Sequence, residues 1–347
     1  MPIATGGRML KRFEDLTHAG RARRLRPLAN RALHRYGIRW KEMQYLPSGT
    51  NIVFRVETAQ RERFVLRLTD SRSGHSPETI EAEIAWLHAL TENGSIGVAT
   101  PLATEEGEFV TSVADPSVPN PWYCTLFRWV PGTNLVNRLT QANVARHGKL
   151  SALLHQQSEQ FAPPPTLRFR TYSTVFPYSD STFPNAEPIV LFGKLGRHLM
   201  PPKRLDVFCR ARNSIQQSIY NLFETRTPQI IHNDLHVWNV KVCWNRIYAL
   251  DFEDLLWGHP VQDVATSLYY YRYRDDSPKL FDAFKSGYES TRPWPEDYPG
   301  QIEALIAGRA LLLANFVAAS NAVEYRHFAP QYLERIERRL SSFLRGA

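Results

Sequence analysis

Three short runs limit the fold first: KEMQYLP at 41–47, NIVFRVET at 51–58 and RFVLRLT at 63–69. Each has strand character, and only the turn residues PSGTN (47–51) and AQRE (59–62) separate them. Connections this short join antiparallel neighbours, because a parallel pair needs a crossover of a dozen or more residues. The expected result is a β-meander. Ahead of it, PLANRALHRYGI places Leu28, Ala32, Leu33 and Tyr36 at helical spacing and stops at Gly37, a helix-ending signal. After it, SPETIEAEIAWLHAL has Ser76 as a helix cap and Pro77 at the first helical position. Glu78 and Glu81 favour the positive helix end, and Ile80, Ile84 and Leu87 form an apolar stripe. Further strands are expected at GEFVTSV and at WYCTLFRWV, the latter closed by Pro131-Gly132.

Beyond residue 138 the pattern changes to helical, beginning with the amphipathic QANVARHGKLSALLHQQS at 141–158. Residues 161–205, with APPP and MPP, read as a long irregular excursion, the kind of segment that is functional or mobile. Helices resume with LDVFCRARNSIQQSIYNLF, break at IIHNDLHVWNV (230–240) and dominate again from Pro260. A chain of 347 residues exceeds the usual single-core size. The expected fold class is therefore α+β: a bilobal enzyme with a small antiparallel N-lobe sheet, one main helix, a larger helical C-lobe and a cleft between the lobes. The boundaries fall at 1–27 for a basic N-terminal segment, 28–130 for the β-rich lobe and 131–347 for the helical lobe.

Hydrophobic residues at 43% and charged residues at 22% describe an ordinary soluble globular chain. The formal charge of +8 is concentrated at one end. Residues 1–41 hold 11 Lys/Arg against Glu14 and Asp15, a net of +9, so the remainder nets −1. A nucleic-acid protein carries its basic stripe within the folded body, so no specific nucleic-acid partner is expected. Cys124, Cys209 and Cys243 are odd in number and far apart, which fits a reducing, cytoplasmic setting. The N-terminus has no apolar signal region. ALIAGRALLLANFVAAS is interrupted by Arg309 and reads as a buried helix rather than a membrane span. The oligomeric state leaves no mark in the sequence.

The chemistry is concentrated in IIHNDLHVWNV. On a strand His232, Asp234 and His236 would share one face and could bind zinc as part of a hydrolase, with His259 and Asp263 recruited. A second reading fits more of the residues. A protein-kinase catalytic loop runs H-R-D-x-x-x-x-N, and His232, Asp234 and Asn239 match it at that spacing. The aspartate faces the acceptor hydroxyl, and the asparagine offers a neutral oxygen to Mg²⁺. Twelve residues further, YALDFED delivers Asp251 at the end of an apolar strand, where a second metal-binding carboxylate is needed. Magnesium takes few protein oxygens, so one Asn and one Asp suffice.

With these residues the chain resembles the aminoglycoside phosphotransferase and choline kinase superfamily, the small-molecule relatives of protein kinases, from about residue 28 to about residue 330. LFRWVPGTNL, ALLH, HNDLHVWN and LDFEDLLWGHPVQDVA are most similar to the branch holding homoserine kinase of the second type, hydroxylysine kinase and the bacterial stress-response Ser/Thr kinase. The resemblance implies ATP and Mg²⁺ as cofactors, Asp234 as catalytic base, Asn239 and Asp251 as metal ligands, and His232 as loop scaffold. It also implies that Arg67 faces the phosphates and pairs with a helix glutamate, Glu83 in preference to Glu81. Ser48 and Asn51 would contact phosphates from the SGTN hairpin, and backbone groups from Phe127 to Trp129 would hold adenine. Asp263 would anchor the catalytic loop, and His155 would sit satisfied in the core.

Two positions depart from the family pattern: Asn233 stands where a glycine is usual, and Trp238 where a small residue is usual, with Trp238 a candidate lining of the acceptor pocket. Glu253 and Asp254 are candidates for a cationic group or a metal-bound water. No activation loop of the eukaryotic type and no Walker A sequence follow. The implied reaction is ATP-dependent phosphoryl transfer to the hydroxyl of a small molecule such as an amino alcohol, amino acid or aminoglycoside-like antibiotic. A Ser/Thr protein kinase of the stress-response type, a non-catalytic nucleotide-binding module and a zinc-dependent hydrolase stay open as alternatives.

Overall fold

The computed structural model describes residues 12–48, 50–72, 75–116, 118–119, 121–320 and 323–346. The first half of the chain gives α1 (His18–Arg35), β1 (Trp40–Leu46), β2 (Ile52–Thr58), β3 (Arg63–Asp70), α2 (Pro77–Asn93), β4 (Gly97–Val98), β5 (Pro101–Leu102), β6 (Val110–Val113), β7 (Trp122–Arg128) and β8 (Thr133–Asn134). Then come α3 (Gln141–Ser158), α4 (Pro202–Thr225), β9 (Gln229–Ile231), β10 (Val240–Cys243), β11 (Arg246–Ala249) and β12 (Leu256–Gly258). Four helices close the chain: α5 (Pro260–Tyr269), α6 (Ser277–Glu289), α7 (Gln301–Ala319) and α8 (Val323–Gly346). The chain is α+β, with the antiparallel sheet early and the helices late. It forms two compact units, Met1–Ile84 with Thr100–Trp129 and Ala85–Ala99 with Val130–Ala347.

In the first unit the sheet runs β1-β2-β3-β7-β5, with β6 also on β7, and every pairing is antiparallel. Strand β2 alternates as a half-buried strand should, turning Ile52, Phe54 and Val56 into the core. Helix α1 covers that face with Leu25, Leu28, Ala29, Ala32 and Leu33, which pack in one cluster with Leu66, Leu68 and Trp122. Burying an aliphatic side chain of this kind stabilises by about 1.5–3 kcal/mol relative to leaving it in water.

Helix α1 begins at His18, not at Pro27. The Thr17 hydroxyl caps it by accepting from the Gly20 amide, and Pro27 lies on the exposed side, where water can reach the carbonyl its ring leaves unbonded. The C-terminus closes with Gly37 at φ +65°, the Ile38 amide bonded to Leu33 O and the Gly37 amide to His34 O, a Schellman arrangement. Several basic residues of α1 are tied to their own unit. Arg26 donates to Met43 O, Arg31 pairs with Asp115, and Arg35 pairs with Glu108. Residues 1–11 of the basic segment lie outside the described residues.

In the second unit α3 crosses α6 at two glycines. A Cβ on Gly148 would stand 1.9 Å from Phe284 O, and one on Gly287 would stand 1.8 Å from Ala145 O, so the backbones touch directly. Helix α7, packed against α4, α5 and α8, is apolar on nearly every side. It is long and apolar enough to cross a bilayer, yet most of it is buried within this unit. From 159 to 201 no α-helix forms. Even so, the segment is packed, with Phe176, Phe183, Val190 and Leu191 buried and the Val190 amide donating to Asn315 Oδ1 at 2.9 Å. Two small sheets, β4-β11-β10-β8 and β12-β9, complete the unit.

Candidate active site

Strand β9 buries Ile230 and Ile231 against β12 and delivers the chain to His232. From there the loop is suspended from buried side chains. Asp263, in the first turn of α5 and fully buried, accepts the His232 amide at 3.3 Å and the Asn233 amide at 2.7 Å. On its other side it meets His155 Nε2 at 2.9 Å, and His155 Nδ1 contacts the Tyr288 hydroxyl at 2.9 Å. Burial opposes the Asp263 charge, but His155 and the loop amides outweigh it and hold the carboxyl below its ordinary range. A second histidine of α3 repeats the device. His147 Nε2 stands 3.1 Å from Leu235 O, which also accepts the Ser267 hydroxyl at 2.7 Å, and His147 Nδ1 meets the Tyr271 hydroxyl. Burial lowers His147 to about 3, so its ring is neutral.

The loop turns through Asn233 at φ +62°, a left-handed backbone that glycine adopts freely and asparagine best among the other residues. A glycine or an asparagine is therefore what this position requires. The Asn233 side chain takes a further role, donating from Nδ2 to the Tyr178 hydroxyl at 2.6 Å.

Asp234 emerges next, with its two oxygens held differently. Oδ1 is ion-paired with Arg309 Nη2, while Oδ2 accepts from Asn239 Nδ2 at 2.9 Å and lies 3.5 Å from His236 Nε2. Burial pushes the Asp234 carboxyl up from the ordinary carboxylate range, and Arg309 and His232 pull it back. His236 is lowered to about 3 by burial and then by Arg309, so it faces Asp234 as a neutral ring. Asn239 gives its other N–H to Asp234 O at 3.0 Å. With both amide hydrogens spent on Asp234, its carbonyl oxygen is the polar atom left to meet a ligand.

Strand β11 reaches the same place. The Leu250 amide donates to Asn239 O at 2.8 Å and Leu250 O meets His232 Nε2 at 3.0 Å, so the chain is fastened to the loop one residue before Asp251. Asp251 itself is exposed and sits at φ +65°. Asn239 offers a neutral oxygen and Asp251 a carboxylate, the donor types that suit Mg²⁺, a hard ion that keeps waters and phosphates as its other ligands. They do not form a zinc site. His232 uses both ring nitrogens on backbone groups, the Asp234 amide and Leu250 O, and among the described residues no group of three His, Cys, Asp or Glu side chains converges.

In the first unit, Arg67 of β3 and Glu83 of α2 form a two-bond fork, Nη1 to Oε1 at 3.0 Å and Nη2 to Oε2 at 2.5 Å, with both side chains buried. Glu81 is exposed. The Arg67 guanidinium also lies 5.3 Å from the Phe127 ring centre. The Ser48 hydroxyl closes its turn on Asn51 O at 2.5 Å, Asn51 is buried, and Gly49 between them lies outside the described residues. The Trp129 amide donates to Arg63 O and the Arg128 amide to Thr100 O, so at these two positions the backbone donors of the expected adenine hinge are bonded inside the unit.

The sequence profile of the phosphotransferase enzyme family matches residues 42–299. The chain belongs to this family. Comparison with curated proteins finds no match. Among solved structures, this phosphotransferase is similar to the amicoumacin kinase hAmiN in complex with AMP-PNP and Ca²⁺, at 18% identity and a TM-score of 0.72, covering 93% of this chain and 96% of that one. It is similar to a microcompartment-associated aminopropanol kinase at 21% identity and a TM-score of 0.74, covering 91% and 98%. For the spectinomycin phosphotransferase APH(9)-Ia with ADP and spectinomycin, the values are 13%, 0.62, 91% and 97%. At these identities the likeness is one of fold.

Sequence reasoning about this phosphotransferase missed Arg309, Tyr178, His147 and Tyr270, whose hydroxyl accepts from Arg309 Nη2 at 3.4 Å, as parts of the site. Arg309 had left a signal: a charged residue in the middle of the most apolar helix, only 6% exposed. A cavity of about 770 Å³ lies on the side of α7 that carries Glu303 and Ala307, and none of the site residues line it.

Proposed function

We propose that the protein transfers the γ-phosphoryl group of ATP to the hydroxyl of a small molecule. The carrying observation is the loop that presents Asp234 and Asn239 together, hung from Asp263 and joined by hydrogen bonds to the residue preceding Asp251. Family membership supplies the reaction class, and neighbours of the same fold that hold AMP-PNP or ADP support ATP as donor.

Asp234 is assigned as the base. It must lie within hydrogen-bond reach of the acceptor hydroxyl, orient it and take its proton. Its fixed position reflects Arg309 and Asn239 gripping one oxygen each. Asn239 Oδ1 and Asp251 would hold Mg²⁺, which supplies charge neutralisation at the phosphates when bound. Arg67, locked by Glu83, is assigned to the nucleotide phosphates, which a guanidinium recognises through paired N–H donors. Catalysis of this kind is positioning and electrostatic stabilisation rather than covalent chemistry.

The test is ATP consumption across a library of hydroxyl-bearing metabolites and antibiotics, repeated with Asp234→Asn. Turnover should drop by on the order of 10²–10⁴ in the variant while ATP binding persists. Undiminished turnover would remove Asp234 from the chemistry.

A further inference from the structure

The cavity beside α7 lies entirely within the second unit, and three guanidiniums face one carboxylate around it. Arg272, Arg338 and Arg339 line it, whereas Glu303 is the single acidic residue of the lining and already pairs with Arg272 Nε at 3.0 Å. Among the described residues Arg338 and Arg339 make no ion pair.

Arg339 is held rigidly. Its guanidinium carbon stands 3.4 Å from the centre of the Tyr273 ring and 5.9 Å from that of Tyr269, and Nη1 donates to the Tyr269 hydroxyl at 3.2 Å. An arginine stacked on aromatic faces in this way is already oriented, so it loses little freedom when it binds. The two remaining donors, Nε and Nη2, share one edge of the guanidinium. Neither makes a hydrogen bond among the described residues, and neither is sealed from water. Such an edge grips a planar two-oxygen anion through parallel N–H bonds.

The rest of the lining has a different character. The Tyr298 hydroxyl donates to Ser218 Oγ at 3.2 Å, and Ser218 Oγ donates to Ser214 O at 3.4 Å, so these polar groups are already engaged with one another. Ile306, Ala307 and Ala310 of α7 and Phe343 of α8 supply apolar surface. The volume of about 770 Å³ falls within the range of about 300–1,000 Å³ that small-molecule sites occupy. One charged edge in an otherwise apolar lining matches an amphipathic acid.

We propose that this cavity binds a carboxylic acid with an apolar body, its carboxylate seated on the Nε and Nη2 edge of Arg339. The bound acid is not the phosphoryl acceptor. Ala307, which lines the cavity, and Arg309, which bonds Asp234, are two residues apart on α7 and so about 200° apart around the helix. The cavity and Asp234 therefore meet different faces of α7.

Isothermal titration calorimetry on the full-length protein, without nucleotide, compares hexanoate and 4-phenylbutyrate with their carboxamides. Acetate and inorganic phosphate serve as anions that lack an apolar body. At least one of the two acids should bind on the order of 10- to 100-fold more tightly than its amide, the worth of hydrogen bonds to a charged group, and more tightly than acetate or phosphate. Arg339→Gln should bring acid and amide to within about threefold, and Arg339→Lys, which keeps the charge but not the paired donors, should fall between. Ser342→Trp, at an exposed position of the lining, should obstruct the cavity and weaken acid and amide alike, which locates the site even if Arg339→Gln fails to fold. Equal binding of acid and amide, or no binding of either acid at about 1 mM, overturns the inference. So does binding of acetate or phosphate as tight as that of the acids, or acid binding that is unchanged in the Arg339 and Ser342 variants. Kinase activity enters none of these readouts, so the outcome is independent of the phosphoryl-transfer assignment.

Discussion

Replacing Asp263 tests the suspension of the catalytic loop directly. In the folded chain this one carboxylate receives two backbone amides, from His232 and Asn233, and one imidazole, from His155, all buried. Asp263→Ala removes the acceptor for all three. Each buried donor left unsatisfied costs about 1–3 kcal/mol, so the substitution should destabilise by roughly 3–9 kcal/mol, a large part of a typical domain's 5–15 kcal/mol. Asp263→Asn keeps one acceptor oxygen but turns an N–H₂ toward a donor, and should cost less, about 2–4 kcal/mol. Urea denaturation followed by tryptophan fluorescence measures both. The pH dependence supplies a second check. Because the folded Asp263 carboxyl is held below its ordinary range, its contribution is complete above the unfolded value of about 3.9 and is lost as pH falls through the lower folded value. Asp263→Asn should therefore flatten part of the acid limb of the stability curve. A loss under about 1 kcal/mol for Asp263→Ala would mean that the loop is held by something other than this carboxylate.

Three further outcomes follow from the packing. Glu83→Gln should destabilise by about 3–5 kcal/mol, because it strands the buried Arg67 guanidinium, whereas the double change Arg67→Met with Glu83→Leu should recover much of that in a denaturation cycle; equal losses would speak against the fork. His147 and His236, lowered to about 3, and His259, lowered to about 4, are neutral when folded, so stability should be complete above pH 6.5 and fall as the pH drops toward those values. The combined slope would reach up to about 4 kcal/mol per pH unit, and a flat profile between pH 6.5 and 4.5 would contradict the burial of these rings. Gly148→Ala, ordinarily worth about 1 kcal/mol of helix stability, should instead lower the melting temperature, since its methyl group meets Phe284 O; a gain would contradict the contact.

Local pattern carried much of the architecture. The segment 141–158 that reads as an amphipathic helix is α3, and the runs between 40 and 70 are β1 to β3. Helix α1 starts earlier than its sequence suggests because Pro27, a common first helical residue, lies mid-helix on the solvent side. Strands β4, β5 and β8 are two residues each, too short for any periodicity, and exist only because a longer strand lies beside them. Within the candidate site, Asp234 and Asn239 were legible because five residues of one loop separate them. Arg309 bonds a residue 75 positions away, and His147 one 88 positions away, so neither leaves a local spacing to read. The left-handed turn at Asn233 was visible only as a departure from a glycine, and the backbone angle explains why asparagine can stand there.

The crossing of α3 and α6 has a consequence for heat. With carbonyl pressed against Cα at both glycines, α3 behaves like a keyed shaft: it can neither slide nor spin without prying its neighbour loose. His147 and His155 stand about 12 Å apart along that shaft, eight residues at 1.5 Å each, and together they latch the loop at both ends. Warming should leave the latch shut until the two helices part, so enzymatic turnover and tertiary structure should vanish in a single step.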